Sequence, residues 1–497
     1  MIDQKYNRHP QADALIGIMG AGFAGICMGI QLKRAGIHDF VIVEKADDVG
    51  GTWRDNTYPG AACDVPSHLY CYSFEPNPDW SRSYAPQEEI QDYIRHCVDK
   101  YELRPHIRFN TEIVSARYNE KMALWEVRDA KGMMARVHMV ISAKGALQIP
   151  ALPAIPGREN FKGDAFHSAQ WRHDVDLTGK EVAVIGTGAS AIQIVPAIAG
   201  TVKKLSLFQR TPPWVLPKFD RGYLGIEKFM FKRFPRFNRL HRNSLYWMFE
   251  SRALGFVVDP RLMKLGEAVA LNFIRRSISD PVLQSKVTPK YTMGCKRVLM
   301  SNEYYPALNR PNVEVVSEGI QEIREHSIVT EDGVEHPVDT IIYSTGFHVT
   351  DSLLGLSITG KDGLDLAEAW QKGMEAYYGI TINKFPNMFM LLGPNTGLGH
   401  NSIIFMIEAQ VNYVMQAITR MLKKGYQQVE VRRAIQKAFV EDMQRRSKNT
   451  VWKAGCASWY LDENGKNTTL WPGFTVQYWM ETRKFDERDY RIVKAEA

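Results

Sequence analysis

The sequence predicts an α/β protein with two Rossmann-like dinucleotide-binding domains, the second of which carries a helical insertion. The main observation is a recurring pattern: an apolar run, a glycine-rich turn and a helix-compatible stretch occur near residue 20 and again near residue 186. At 497 residues and 45% hydrophobic content, the chain is also too long for a single core. More than one domain is therefore expected.

The first βαβ unit opens with the apolar run Leu15–Met19. A helix is predicted over Ala24–Ala35, followed by a second strand over Phe40–Val43. Glu44 ends this second strand, nineteen residues after the last glycine of the turn. Strand, turn, helix, strand and acid therefore follow one another in the order that a dinucleotide site requires.

The turn of this unit has the pattern G-x-G-x-x-G, in the residues Gly20-Ala21-Gly22-Phe23-Ala24-Gly25. Gly20 permits the tight turn, Gly22 lets a pyrophosphate approach the backbone, and Gly25 lets helix and strand pack closely. Glu44 can accept hydrogen bonds from ribose hydroxyls, and its charge would repel a 2′-phosphate. The turn, with Phe23 and Ala24 at the helix start, is therefore predicted to bind FAD or NAD rather than NADP.

The second unit runs from a strand over Glu181–Ile185 to a strand over Leu205–Phe208, and its turn is Gly186-Thr187-Gly188-Ala189-Ser190-Ala191. Alanine is an accepted variant at the third position. No acid ends the following strand. Arg210 and Thr211 follow it instead, and an arginine can hold a 2′-phosphate through two hydrogen bonds. We therefore predict an NADP site here, with electrons passing from NADPH to FAD.

Prolines and composition mark the boundaries between these units. Pro150, Pro153 and Pro156 restrict the chain to extended conformations after the first unit. Beyond residue 217 the composition changes to Lys, Arg and aromatic residues at helical spacing, through about residue 284. Buried strands are then expected over Val338–Gly346 and Asn387–Gly393. The second unit is therefore predicted to be interrupted by a helical insertion.

Charge and cysteine usage exclude several classes of function. The net charge is +7, and 62 Lys and Arg are intermixed with 55 Asp and Glu, which favours phosphorylated cofactors over nucleic acid. Six cysteines form no C-x-x-C pair, so neither a dithiol site nor a metal site is predicted. No signal peptide and no run of eighteen apolar residues occur. A reduced, cytoplasmic protein without a transmembrane segment is expected.

Between the two nucleotide motifs, Phe161, Gly163, His167 and Trp171 are spaced as F-x-G-x-x-x-H-x-x-x-W. This resembles the signature of the Baeyer–Villiger monooxygenases, a type I group within the class B flavoprotein monooxygenases. Related N- and S-oxygenases usually end the signature with a smaller aromatic residue, so Trp171 favours the Baeyer–Villiger branch. Arg172 departs from the family pattern, which has Pro or Asp there. By resemblance, His167 organises the contact between domains rather than acting as an acid or base.

A second signature of this family, G-x-W-x-x-x-x-[FY]-P-G-x-x-x-D, is complete from Gly51 through Tyr58 to Asp64. The resemblance implies that Asp64 reaches both the flavin and the active site. It also implies that three further residues of this region contact the flavin, namely Thr52, Trp53 and Tyr70.

A third match is the loop that contains Lys296 and Arg297, whose family counterpart carries a Lys near the NADP 2′-phosphate and an Arg beside the flavin. Trp459 resembles the tail tryptophan that folds over bound nicotinamide, with Trp452 and Trp471 nearby as alternatives. The resemblance therefore implies that Arg297, Asp64 and Trp459 form the catalytic set.

The resemblance covers about residues 12 to 475 and implies an FAD domain built from both ends of the chain. Its two parts would be residues 1–147 and residues 347–497, the latter including the C-terminal tail. The NADP domain would comprise residues 148–217 and 287–346, with the helical insertion at 218–286 between them.

The chemistry that this family implies begins with reduction of FAD by NADPH. Oxygen then adds to flavin C4a, the peroxyflavin anion attacks a ketone, and the Criegee adduct rearranges to an ester or lactone. Arg297 would stabilise the anion because a guanidinium does not lose its proton, and Asp64 would hold Arg297 in place.

Two alternatives are left open by the residues. The first is an N- or S-oxygenase with the same cofactors, which would accept a sulfide. The second is a membrane-surface or partner-binding protein with vestigial cofactor sites, which would contact an anionic membrane surface through the basic, aromatic stretch 228–242. Pro235 interrupts any single long amphipathic helix there, and a helical subdomain with a charged outer face also accounts for the stretch.

Overall fold

The computed structural model describes residues 9–349, 355–453, 455, 460–462 and 464–494. It confirms the predicted α/β fold with two separate, mainly parallel sheets. In chain order the strands are β1 (Ala14–Met19), β2 (Phe40–Val43), β3 (Ile107–Arg108), β4 (Ile113–Asn119), β5 (Leu124–Asp129), β6 (Met134–Ser142), β7 (Asp164–His167), β8 (Glu181–Ile185), β9 (Lys204–Phe208), β10 (Val215–Leu216), β11 (Leu299–Met300), β12 (Val313–Val316), β13 (Ile320–Ile323), β14 (Ser327–Thr330), β15 (Glu335–Pro337), β16 (Thr340–Tyr343), β17 (Ser357–Thr359), β18 (Met388–Met390), β19 (Tyr426–Val431) and β20 (Tyr490–Lys494).

Helices cover both sheets and also form a segment of their own. In chain order they are α1 (Phe23–Arg34), α2 (Thr52–Asp55), α3 (Gln87–Lys100), α4 (Ala191–Ile198), α5 (Gly225–Arg233), α6 (Pro235–Ser251), α7 (Met263–Ser277), α8 (Pro281–Val287), α9 (Tyr304–Leu308), α10 (Leu366–Ala369), α11 (Ile403–Lys424), α12 (Arg433–Ser447) and α13 (Thr475–Glu481).

The first sheet has the strand order β17-β4-β5-β6-β1-β2-β3. The first half of β6 pairs antiparallel with β5, and its second half pairs parallel with β18, which comes from far along the chain. The core of this sheet combines residues 15–143 with residues 377–490, including the buried faces of α1 and α11. Both ends of the sequence therefore build one hydrophobic core.

The second sheet has the order β12-β9-β8-β16-β7, and all its pairs are parallel. Its central strands are almost wholly buried, as expected for a parallel sheet covered on both faces. The strands predicted over Phe40–Val43 and Glu181–Ile185 match to the residue. Those predicted over Val338–Gly346 and Asn387–Gly393 are real but shorter.

Between β9 and β12 the chain forms α5, α6, α7 and α8, which we call the helical segment (residues 218–286). Pro235 is the first residue of α6, where its fixed φ and missing N–H are tolerated, so the break between α5 and α6 falls where the sequence predicted it. Within the described residues, no helix is both long enough and apolar enough to cross a membrane.

The cysteines depart in part from the expectation of a reduced chain. Cys27, Cys63, Cys71 and Cys97 are free and buried. Cys295 is disulfide-bonded, so the expectation is wrong for this residue. Local sequence does not indicate this bond, because no other cysteine lies near Cys295 along the chain.

Candidate active site

The three glycines of the first turn are required for different reasons. Gly20 has φ +105°, and a Cβ on it would lie 2.9 Å from the carbonyl oxygen of Ala143. A Cβ on Gly25 would collide with the carbonyl oxygen of Gly20. Gly22, in contrast, has an ordinary φ of −82°, and its Cβ would meet no described protein atom closer than 3.9 Å. The protein itself therefore does not require glycine at position 22, which fits the close approach of a pyrophosphate.

Helix α1 begins at Phe23 and Ala24, both buried, directly after this turn. Among the described residues no side chain caps its first turn, so its first N–H groups are available to bind an anion. Glu44 is 5% exposed and accepts hydrogen bonds from Ala21 N at 2.9 Å and from the Arg54 guanidinium at 2.9 Å. Glu44 Oε1 also accepts a hydrogen bond from Ala46 N at 3.1 Å. A carboxylate has about four acceptor positions, so Glu44 retains one for a ribose hydroxyl.

The second turn repeats the geometry of the first. Gly186 has φ +107°, and a Cβ on it would collide with the carbonyl oxygen of Ser344, just as Gly20 adjoins Ala143. A Cβ on Gly188 would meet no described atom within 4 Å. Both sheets therefore leave open space at the second glycine, where a dinucleotide phosphate would lie.

Side chains and the following helix complete this second turn. The Thr187 hydroxyl donates a hydrogen bond to the carbonyl oxygen of Thr211 at 2.9 Å, which ties the turn to the end of β9. Ala189 and Ser190 then lead into α4, which begins at Ala191, and no side chain among the described residues caps it. Backbone N–H groups are therefore directed toward the open space beside Gly188.

Two cations lie close together beside the second turn. Burial lowers the pKa of Lys296, and the nearby charge of Arg210 lowers it further. Neither cation forms a salt bridge with any residue that the structure describes, and the Lys296 ammonium lies 5.3 Å from the centre of the Tyr291 ring. Two neighbouring cations without a described acid beside them are suited to bind an anion of more than one charge. This is the position where a 2′-phosphate is expected.

The Arg297 and Asp64 side chains, 233 residues apart in sequence, meet in an ion pair. Arg297 Nε and Nη2 both donate to Asp64 Oδ2, at 2.9 and 2.5 Å. Their side chains are 40% and 29% exposed, so the pair is accessible to a ligand. Burial opposes ionisation of Asp64, but the charge and hydrogen bonds of Arg297 outweigh it and lower the pKa of Asp64. The charge of Asp64 in turn raises the pKa of Arg297.

Two residues that sequence reasoning did not select act on this pair. The charge of Lys218, in the helical segment, also lowers the pKa of Asp64. Tyr460 is 1% exposed, and burial raises its pKa to about 12, while the charges of Arg297 and Asp64 also act on it. Lys218 lies outside the matched motifs and Tyr460 directly follows Trp459, so only the three-dimensional structure shows that both act on the pair.

Aromatic residues connect the ion pair to the first turn. Trp53 Nε1 donates to the Tyr70 hydroxyl at 3.0 Å, and the two rings pack edge to face at 5.5 Å. Tyr70 also packs against Phe23, the first residue of α1, at 5.4 Å. Thr52 is exposed at the start of α2. The sequence-predicted flavin contacts are thus brought together around one end of the first sheet.

The tail tryptophans differ in what the structure shows of them. Trp459 lies outside the described residues. Trp452 is 1% exposed and packs in a cluster with Phe256, whereas Trp471 is fully buried and packs edge to face on Tyr478 at 4.9 Å. Trp452 and Trp471 are therefore buried core residues.

The loop before Asp64 also contacts the second sheet, through a residue that the sequence did not single out. The Tyr58 hydroxyl donates to Gln193 Oε1 at 3.0 Å, and Gln193 Nε2 donates to the Ala62 carbonyl oxygen at 2.9 Å. A Cβ on Gly60 would lie 2.8 Å from the Gln193 carbonyl oxygen. Gln193 on α4 thereby fixes the position of this loop relative to the second sheet.

His167 of the fingerprint ends β7, where it pairs in register with Tyr343 of β16. Its Nδ1 accepts a hydrogen bond from Ala169 N at 3.1 Å, so the ring proton lies on Nε2. Burial lowers the pKa of His167, and the backbone of Gly346 partly opposes this. The ring packs on Phe347 at 5.5 Å, at the point where the chain leaves the second sheet. A neutral, buried His167 here fits an organising role.

The rest of the fingerprint supports the same edge of the sheet. A Cβ on Gly163 would collide with the carbonyl oxygen of Asp339, and Phe161 packs beside Gly163. Trp171 packs edge to face on Phe166 at 5.2 Å. Arg172, which departs from the family pattern, binds two carboxylates, those of Asp164 at 2.9 Å and Asp174 at 2.5 Å. Arg172, in place of the Pro or Asp of the family pattern, is therefore accommodated by two local ion pairs.

Comparison with known proteins identifies relatives over nearly the whole chain. Residues 14–259 match the flavin-binding monooxygenase-like family. A Baeyer–Villiger monooxygenase from Pseudomonas aeruginosa is 48% identical over 479 residues, which cover 96% of this chain and 91% of that relative. The closed crystal structure of cyclohexanone monooxygenase is 29% identical with a TM-score of 0.86, covering 97% of this chain and 99% of its own. OTEMO in complex with FAD and NADP is 29% identical with a TM-score of 0.88, covering 97% and 100%.

Proposed function

The chain belongs to the Baeyer–Villiger monooxygenase family of flavin-binding monooxygenases, and from that membership we propose which of its residues convert a ketone to an ester or lactone. The protein is an FAD- and NADPH-dependent monooxygenase. The observation that carries the residue assignment is the partly exposed Arg297–Asp64 ion pair, in which Asp64 ends the flavin signature and Arg297 comes from the loop that also carries Lys296.

FAD fits the first turn, because Gly22 leaves space that no described protein atom fills and the start of α1 is uncapped. We propose that Gly20, Gly22 and Gly25 hold its pyrophosphate, that Glu44 binds its ribose, and that the cluster around Tyr70 contacts its ring system. That cluster consists of Thr52, Trp53 and Tyr70, with Phe23 and Ala24 at the helix start. When bound and reduced, FAD activates the oxygen atom that is inserted beside the carbonyl.

NADPH fits the second turn for the same steric reason at Gly188. Its 2′-phosphate would lie between Arg210 and Lys296, two neighbouring cations of which neither forms a salt bridge with a described acid. Thr187, Ala189, Ser190 and Thr211 line the same turn. The coenzyme preference is therefore assigned to charge, because a 2′-phosphate is the only group by which NADPH differs from NADH.

We propose that Arg297 stabilises the negative charge that develops on oxygen during attack on the carbonyl. A guanidinium stays protonated at any physiological pH, and a preorganised cation is more effective in a partly dehydrated site than in water. Asp64, kept ionised by Arg297, fixes the orientation of that guanidinium through two hydrogen bonds to one oxygen. The remaining nitrogen of the guanidinium, Nη1, then points away from these two hydrogen bonds and can donate to the reacting oxygen.

We also propose that residues 1–147 and 347–497 form the FAD domain, and that residues 148–217 and 287–346 form the NADP domain, interrupted by the insertion 218–286. The shared core of the first sheet, drawn from residues 15–143 and 377–490, supports the first assignment. The pairing of β16 with both β7 and β8 supports the second.

The reaction is tested by reducing the purified protein with NADPH in the absence of oxygen, then adding isotopically labelled oxygen with a ketone and a thioether together. We expect an ester or lactone that carries one labelled oxygen atom. The same mixture without NADPH is the control and should yield no ester. A protein that forms only sulfoxide contradicts the proposal and would be a heteroatom oxygenase.

A further inference from the structure

The helical segment holds the whole positive excess of the chain. Residues 218–286 contain 14 Lys and Arg but only 6 Asp and Glu, a net charge of +8, whereas the entire chain carries +7. One of these acids, Glu250, is 1% exposed and accepts hydrogen bonds from Asn401 and Thr475 inside the protein. Another, Glu227, is paired with Arg221. The Glu227–Arg221 pair carries no net charge and Glu250 is buried, so the exposed surface of the segment is strongly basic.

One face of α6 leaves large apolar side chains in solvent. Phe237, Leu240, Trp247 and Met248 are 42%, 67%, 58% and 49% exposed. With 3.6 residues per turn, these four positions lie within a stripe about 100° wide. The opposite side of the helix, which includes the buried Phe249, packs on the protein. We call this stripe the α6 apolar face.

Exposed apolar and basic side chains continue beside this face. Helix α5 packs against α6 and exposes Ile226 and Phe229 at 63% and 57%. Arg233, Arg236 and Arg239 lie at the junction and on the first turns of α6, and none of the three forms a salt bridge with a residue that the structure describes. Exposed apolar surface on this scale marks an interaction site.

We propose that the α6 apolar face, with Arg233, Arg236 and Arg239 beside it, docks on an anionic lipid surface. Aromatic and aliphatic residues on one side of a helix, with Lys and Arg alongside, are the composition of helices that lie in a membrane interface. Anionic headgroups would neutralise the local +8 charge. A second copy of the chain is the weaker occupant, because a twofold interface would place two such basic surfaces against each other.

Sedimentation of the FAD-loaded protein with phosphatidylcholine vesicles, with and without roughly a third phosphatidylglycerol, tests the proposal. We expect binding only to the anionic vesicles. The variant R233Q/R236Q/R239Q should bind roughly a hundredfold more weakly, since each cation near an anionic surface contributes about a fivefold factor. The matched control R117Q/K121Q/R128Q removes the same charge from exposed positions of the first sheet and should bind like the parent.

The apolar contribution is tested with L240S/W247S, against M133S/V334S as a control that also removes two exposed apolar side chains. Only L240S/W247S should lose binding. FAD content and NADPH oxidation show whether each variant is folded. If L240S/W247S does not fold, the single variant Trp247→Ser is used in its place.

Equal binding to neutral vesicles, no binding at all, or equal losses in the control variants would overturn the proposal. So would a dimer in light scattering that L240S/W247S converts to a monomer, because the α6 apolar face would then be a subunit interface.

Discussion

Replacement of Arg297 by Ala should separate the two halves of the reaction. Reduction of FAD depends on the proposed NADP site, where Arg210 and Lys296 remain in place. Attack on the carbonyl depends on the charge beside the reacting oxygen, and loss of one preorganised donor costs about 3–4 kcal/mol, or roughly several hundredfold in rate. Ester formation should therefore nearly vanish while NADPH still reduces FAD.

The same substitution also changes Asp64, so the prediction needs a control. Asp64 loses both hydrogen bonds and the charge that lowers its pKa, while the burial that raises this pKa remains. In R297A/D64N the unpaired carboxylate is gone as well. If the guanidinium itself is required, the double variant will be as deficient in ester formation as R297A, even where it recovers thermal stability.

The assay measures NADPH consumption, hydrogen peroxide and ester in one reaction. We expect R297A to consume NADPH with most electrons appearing as peroxide, and Arg297→Lys to retain a part of the ester yield because it keeps the charge but not the paired donors. A near-normal ester yield per NADPH in R297A would refute the assignment of Arg297.

Three further predictions concern the cofactor sites. Arg210→Ala should raise KM for NADPH about tenfold or more and leave KM for NADH unchanged, because a hydrogen bond to a charged group contributes roughly 1.5–3 kcal/mol; equal effects on both coenzymes would exclude a 2′-phosphate contact. Since burial and Arg210 lower the pKa of Lys296, its charge is lost on the alkaline side before that of an ordinary lysine. KM for NADPH should accordingly rise with pH there and stay flat in Lys296→Arg, as steady-state kinetics at several pH values will show. Gly22→Ala should fold but purify with less FAD, measured by absorbance, whereas Gly25→Ala should fail to fold because its Cβ collides with the Gly20 carbonyl oxygen; a fully yellow G22A protein would contradict this.

The parts of the fold that sequence predicted well are those set by local chemistry. The apolar runs around the two glycine turns became β1, β2, β8 and β9 with boundaries correct to within a residue. Helix α1 likewise begins and ends within one residue of the helix predicted over Ala24–Ala35. Glycine spacing, helix periodicity and the acid after β2 are all signals carried by a few neighbouring residues.

Contacts between distant segments were not predictable from those signals. Gln193 lies in an ordinary helical sequence, and only the fold brings it to the loop containing Tyr58. Arg172 was recognised as a departure from the signature, but its partners Asp164 and Asp174 became clear only in three dimensions. The single exposed stripe on α6 was similarly hidden, because composition shows that a segment is basic and aromatic without showing which side chains the protein covers.

The candidate site is recognisable because contacts within the protein do not account for all of its residues. Gly20 and Gly25 are required by backbone contacts, yet Gly22 and Gly188 face space that no described atom occupies. Arg210 and Lys296 adjoin each other, and neither forms a salt bridge with a residue that the structure describes. Natural proteins depart from local rules chiefly where function requires it. Gly22 and Gly188 occupy the same position in the two turns, where two dinucleotides would lie. This agreement between the turns is the physical basis for assigning both cofactors to this chain.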